Sequence, residues 1–253
     1  MSEPQLFYKK TWTRFLSVFV WLFYALMLIA ILARLVFGLA SLNAFMVFGI
    51  GILLCVLSVL IGLLVFLWGL IAGKKNIMTD GATTLGLAAL PIVVAVLIVG
   101  PQNLTAPPIH DITTDVQDPP FFSFASKERT ESQNSLEYGG QEVAEIQKAA
   151  YPDIQPLVTE MTPEAAFTHS RAVAQELGWE ILVDDPTAGM IEAVDMTRIF
   201  NFKDDIAIRI QPDDGGSRID IRSVSRDGQG DFGTNANRVR RFIEKFRTDV
   251  SNQ

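Results

Sequence analysis

The sequence predicts a composite fold. A three-span α-helical membrane anchor comes first, followed by an α+β domain: an antiparallel four-stranded meander sheet with helices packed on one face. Three observations predict it. The first 105 residues hold only six of the 21 Lys and Arg and two of the 28 Asp and Glu. Three uncharged stretches within them reach the ~20 apolar residues that cross a bilayer. The remaining 148 residues, with 15 basic and 26 acidic side chains, turn to Ile-polar alternation and then to helical apolar spacing.

The first span is read over 15–33, between Arg14 and Arg34. A charge-free run follows that is too long for one helix. Gly38, Ser41 and Asn43 mark a turn near its start, so the second span is placed at 44–72. The third covers 81–100. Pro91 lies inside it, which a membrane helix tolerates when a neighbour satisfies the freed carbonyl. A signal peptide is the alternative for the first span, but its apolar core is too long and its cleavage signal weak. Short-loop basic residues set orientation. Lys9, Lys10 and Arg14 precede span one, and Lys74 and Lys75 lie between spans two and three. Both groups belong on the cytoplasmic side; Arg34 dissents. The amino terminus is therefore expected inside and the carboxy-terminal domain outside, in the periplasm of a bacterium. Gly69 to Gly73 is a GxxxG, and Ser58 to Gly62 a small-xxx-small pair. Both read as packing among the spans rather than dimerisation.

The anchor region thus covers 1–105. Residues 106–135, with Pro107, Pro108, Pro119 and Pro120, read as a Pro-rich extended leash. The soluble domain occupies 136–253. Residues 140–150 suit a short helix. Thr162-Pro163-Glu164 supplies an N-cap, a proline at the first helical position and an early acid for a helix to Leu177, stopped by Gly178. Strands are expected at 179–183, 190–196, 205–211 and 217–224. Ile206, Ile208 and Ile210 alternate with polar residues, as do Ile219 and Ile221. An Asp214-Gly215 turn pairs Ile210 with Ile219, Ile208 with Ile221 and Arg209 with Asp220. Val239, Phe242, Ile243, Phe246 and Val250 form the last helix, with Asn235 as its N-cap.

Charge in the outer domain is uneven. Residues 106–197 carry four basic and 17 acidic groups, whereas 198–253 carry 11 and nine, and nine of those 11 are Arg. The planar guanidinium suits carboxylate and phosphate. Arg209, Asp220, Arg222, Arg226, Asp231 and Asn235 are therefore the candidate ligand-binding residues, on the polar strand face and the Gly-rich loop after it. The competing reading pairs Arg209, Arg222 and Arg226 with Asp205, Asp220 and Asp231. Catalytic signals are weak. Ser223 and Ser225 have no local His, and Glu192 and Asp195 fall on opposite strand faces. Cys55 is the only cysteine, and His110 and His169 stand far apart, so no metal or cofactor is expected. The domain is acidic and its Arg residues are interleaved with acids, which argues against nucleic acid.

Ile109-His-Asp-Ile-Thr-Thr-Asp115 with Pro119-Pro120, Tyr151-Pro-Asp-Ile, Ile191-Glu-Ala193, Phe202-Lys-Asp-Asp205 and Ile208-Arg209 resemble domain of unknown function 1499. So does Asp220-Ile-Arg-Ser-Val-Ser-Arg226 with Gly228, Asp231, Gly233 and Asn235. The resemblance covers about 107–250. It implies an envelope or membrane protein of bacterial or plastid type, with no established activity and no catalytic roles. The expected function is a non-catalytic inner-membrane module with a periplasmic domain that binds an anionic or lipidic ligand. Its expected partners are the lipid bilayer and either another membrane protein or that ligand. A scaffold for another membrane protein is the alternative, and an envelope enzyme using Asp205, Asp220 or Asp231 the third reading.

Overall fold

The computed structural model describes residues 13–251. The chain divides into two compact units, Met1–Pro101 and Gln102–Gln253. The first contains α1 (Arg14–Phe37), α2 (Ser41–Ile71) and α3 (Lys75–Val99). All three are long and apolar enough to cross a membrane. Even α1, at 24 residues, runs about 36 Å. Leu22, Leu64, Leu97 and many apolar neighbours face outward. The helices fit a membrane anchor. Helix α2 starts at Ser41 rather than 44, and α3 at Lys75 rather than 81. The longer α3 takes in Asp80, whose carboxylate accepts a hydrogen bond from Thr13 Oγ1 at 2.5 Å. Lys9 and Lys10 lie outside the described residues.

Small residues set the packing of this unit. Ser58, Gly62 and Gly69 are buried along α2. A Cβ on Gly69 would collide with the backbone nitrogen of Met78 on α3, and one on Gly81 with that of Phe66 on α2. Gly73 takes no part: it follows the helix end with φ 64° and open space around it. Pro91 has no N–H for the Leu87 carbonyl one turn earlier. Tyr24 on α1 fills that vacancy, its hydroxyl donating to the Leu87 oxygen at 2.5 Å.

The second unit holds β1 (Asp111–Thr113), α4 (Ala125–Glu128), α5 (Gly140–Ala150), β2 (Leu157–Thr159) and α6 (Pro163–Glu176). Then come β3 (Glu180–Asp185), β4 (Met190–Met196), β5 (Lys203–Asp213), β6 (Gly216–Ser225) and α7 (Thr234–Ser251). The strands form one antiparallel sheet in the order β1-β6-β5-β4-β3, and β2 also pairs with β6. Four of them make the expected meander. The other two, three residues each, are too short to show a period in sequence. In the central hairpin Ile210 pairs with Ile219, Ile208 with Ile221 and Arg209 with Asp220, closed by Asp214 and Gly215. Gly215 takes φ 80°, which a side chain would disfavour.

The Ile face packs under α6 and α7. Ile206, Ile208, Ile219 and Ile221 meet Phe167 and Val173 of α6 and Val239, Phe242 and Phe246 of α7. Trp179 stacks on Phe242 at 5.6 Å between centroids. Helix α6 is capped as its sequence suggests, with Thr162 Oγ1 accepting from Ala165 N–H at 3.3 Å. Two expectations are corrected. Residues 106–135 are not a leash: Ile109, Ile112, Phe122 and Ala125 are buried, and β1 pairs with 222–224 of β6. The prolines punctuate a strap that carries its own apolar anchors. Asn235 is not the cap of α7 but lies buried inside its first turn; Asp231 does the capping.

Candidate functional site

The face of the sheet opposite the Ile residues carries Asp205, Ala207 and Arg209 on β5 with Asp220, Arg222 and Val224 on β6. Three ion-pair clusters form there. In the first, Arg209 reaches Asp118 at 2.8 Å, Asp220 at 3.1 Å and Asp115 at 3.3 Å. Arg218 joins Asp115 at 2.7 Å and Asp220 at 3.0 Å. Hydrogen bonds from Arg218 to Asp220 hold its guanidinium pKa above the ordinary value.

In the second cluster Arg222 grips Asp111 through two bonds, Nε at 3.0 Å and Nη2 at 2.7 Å. It also donates to the carbonyls of Pro120 and Leu136. The rings of Phe122 and Tyr138 lie 5.2 Å and 5.6 Å from its guanidinium carbon. Burial, with the Asp111 charge adding to it, pushes the Tyr138 phenol up to about 12. In the third, Arg226 Nη2 binds Asp205 at 2.7 Å, and Arg129 Nε binds the same carboxylate at 2.8 Å. Burial lowers the Arg129 pKa despite Asp205.

These clusters hold the strap, residues 109–138, against the polar face. Glu192 on β4 does the same work: it accepts from the N–H groups of Ser123, Phe124 and Ala125 and from the Ser123 hydroxyl at 2.5 Å. Gln147 of α5 closes the outer edge of β1. Its amide accepts from Thr113 N–H at 3.0 Å and donates to Thr113 O at 2.7 Å, as a neighbouring strand would.

A fourth network lies on the helix side. Arg238 of α7 binds Asp204 at 2.6 Å and Asp195 at 2.8 Å, and donates to Asn235 Oδ1 at 2.5 Å. Burial opposes its charge, but Asp204 and Asp195 outweigh that and keep its pKa above the ordinary value. Asn235 accepts from Ser223 Oγ and donates to Ser225 Oγ and the His110 carbonyl. Asp231 accepts from the N–H groups of Gly233 and Asn235. The residue is only partly buried, yet protein crowds its carboxyl, and desolvation raises its pKa.

The six candidate residues therefore do not converge on one open cleft. Arg209, Arg222 and Arg226 are 8% exposed or less, and each is neutralised by a carboxylate. Asp220 and Asn235 are fully buried. The strap covers the face that sequence reasoning left open to solvent. Reading the sequence missed Asp111, Asp115 and Asp118 as counterions, Glu192 as an anchor for the strap, and Arg129 and Arg238 altogether. The charge imbalance was the available signal: the acid-rich segment 106–197 supplies Asp115 and Asp118 to Arg209, Asp111 to Arg222 and Asp195 to Arg238, whereas Arg226 finds Asp205 within 198–253.

Chemically, the arrangement binds itself. The Ser223 and Ser225 hydroxyls are committed to Asn235, with no imidazole against them. His110 Nδ1 lies 3.4 Å from the Gln229 carbonyl, and His169 packs edge-on to Phe246. Glu192 and Asp195 do point to opposite faces, one to the strap and the other to Arg238. Among the described residues no group of three or more His, Cys, Asp or Glu is placed to hold a metal ion.

No curated protein gives a significant match to the chain. The family model described as "Protein of unknown function (DUF1499)" matches residues 111–246. The match opens at Asp111, the partner of Arg222, and closes at Phe246, the last core aromatic of α7. It takes in the whole sheet and spans more than half of the sequence, so the chain belongs to the DUF1499 family.

Proposed function

We propose that the chain is a multi-pass protein of a bacterial inner membrane whose domain lies outside the cytoplasm. There it serves, without catalysis, as a scaffold or assembly partner for another membrane protein. One observation carries this reading: every candidate arginine is buried against an aspartate of its own chain. A guanidinium already holding a carboxylate offers little to an incoming anion. An acid locked by Arg is equally poor as a general acid or base. The polar face is thus spent on shaping the domain, and what remains for function is its outer surface. The β3 edge is one such surface, paired on a single side to β4 with a bulge between Ile181 and Val183.

Photo-crosslinkers at Leu182 and Asp184, in the full chain in intact membranes, test this. A reproducible protein adduct supports the scaffold reading; adducts to lipid alone sink it. The ligand-binding alternative has its own test. If Arg222→Ala and Arg226→Ala leave the domain folded but abolish retention of an anion, the arginines bind rather than brace.

A further inference from the structure

One end of the sheet differs from the other. Strand β4 ends at Met196 and β5 begins at Lys203, so 197–202 turn at that end. Ser225 pairs with Asp204 there, and 226–233 lead on to α7. Asp111 pairs with Val224, so 102–110 enter at the same end. Contacts confirm the grouping. A Cβ on Gly230 would sit 3.2 Å from Pro108 Cα, and one on Gly233 3.2 Å from Asn103 Oδ1.

These connections carry large apolar side chains in the open. Leu104 is 51% exposed, Met196 49%, Ile199 38% and Phe232 48%. Phe232 is also held at φ 51°, a left-handed conformation that a bulky residue rarely adopts. Arg198 and Lys203 are exposed beside them, with Asp227 half-buried. The turns at the other end read differently. Asp185, Asp213 and Asp214 are exposed there, as is Glu160, and neither turn shows a large apolar side chain.

Chain connectivity distinguishes the two ends. The polypeptide leaves the third apolar helix at Val99 and reaches Gln102 three residues on. Three residues span at most about 10 Å. The end that receives 102–110 is therefore the one the chain enters directly from the third apolar helix, and the acidic turns are at the far end of the strands.

We propose that this end is a lipid-facing rim. Leu104, Met196, Ile199 and Phe232 enter the interfacial layer of the bilayer that anchors the chain, while Arg198 and Lys203 sit at the level of the lipid phosphates. Apolar side chains flanked by cations suit that layer. Acidic turns facing away avoid the negative surface potential of anionic lipid. The proposal is independent of the scaffold reading, since it needs no other protein.

The test uses the full chain in vesicles of phosphatidylethanolamine and phosphatidylglycerol. Cys55→Ser clears the background, and single cysteines at Met196, Ile199, Thr187 or Asp214 carry an environment-sensitive dye. A nitroxide on the lipid should quench the first two sites several-fold more than the last two, and aqueous iodide should do the reverse. Adding Ile199→Asp to the Met196→Cys chain should bring its lipid quenching down to the level of Asp214. Three results overturn the proposal. The rim sites are as open to iodide as the turns, or they are shielded from iodide without lipid quenching, which puts protein over them. The third is a Met196 signal indifferent to Ile199→Asp.

Discussion

Arg222 has more partners than its charge requires: one aspartate, two carbonyls and two aromatic rings. Breaking a buried pair leaves a lone charge, which costs roughly 3–5 kcal/mol. Arg222→Ala should therefore destabilise the outer domain by that order, read as a lowered urea midpoint at unchanged m in detergent micelles. The double change Arg222→Met with Asp111→Leu should cost less than either single change. A double variant worse than both would show that the pair itself, not relief of a stranded charge, is what matters. Asp231 offers a pH test. Its carboxyl holds its proton more tightly than an ordinary aspartate because burial disfavours the charge. Its contribution to stability is therefore present at acid pH and is lost as pH rises through its folded pKa. Asp231→Asn removes that dependence. The parent's advantage over this variant should shrink as pH rises above about 4, the ordinary aspartate value. An advantage that grows with pH would mean the ionised form is the favoured one.

At the scale of elements, α3 is a helix with a proline and a neighbour that repairs it. Tyr24→Phe strips the hydroxyl from the Leu87 carbonyl, in a medium with no water to replace it. Hydrogen bonds between membrane helices average near 0.6 kcal/mol, so we expect a loss of about 1 kcal/mol in detergent-titration unfolding. In a Pro91→Ala background the helix has its own N–H for that carbonyl, and the same change should cost less. Equal cost in both backgrounds would refute the repair. Glycines of the anchor divide in the same way. Gly81→Leu drives a side chain into the backbone at Phe66 and should separate α2 from α3, whereas Gly86→Ala meets nothing within 4 Å and should leave stability at or above the parent. Disulfide trapping between cysteines on α2 and α3 reads both.

At the scale of the whole molecule, the two units use opposite solvents and opposite solutions. The anchor buries small residues and faces its large apolar ones outward. The outer domain buries Ile and Phe on one face of the sheet and Arg-Asp pairs on the other. Removing the charges from one segment alone would leave the other unpaired in the interior, so 106–138 and 198–226 are expected to fold as one cooperative piece. Amide exchange should protect β1 and β6 to the same degree; a strap that exchanges freely while β6 stays protected would refute this. The proposed orientation is tested by a reporter fused after Gln253, expected to be active only outside the cytoplasm.

Local pattern alone determined the three apolar helices, the four-strand meander, the pairing of Ile208 with Ile221 and Arg209 with Asp220, and the cap at Thr162. Each follows from neighbours within a few residues, where periodicity and turn chemistry act. The sequence could not reveal that Arg222 meets Asp111, Arg226 shares Asp205 with Arg129, or Gln147 seals β1. Those partners stand up to 111 residues apart, and charge carries no address along a chain. Only the tertiary structure decided that the polar face is closed by the strap. Burying a guanidinium is favourable only where a carboxylate and spare carbonyls arrive together, and the packed domain supplies that coincidence.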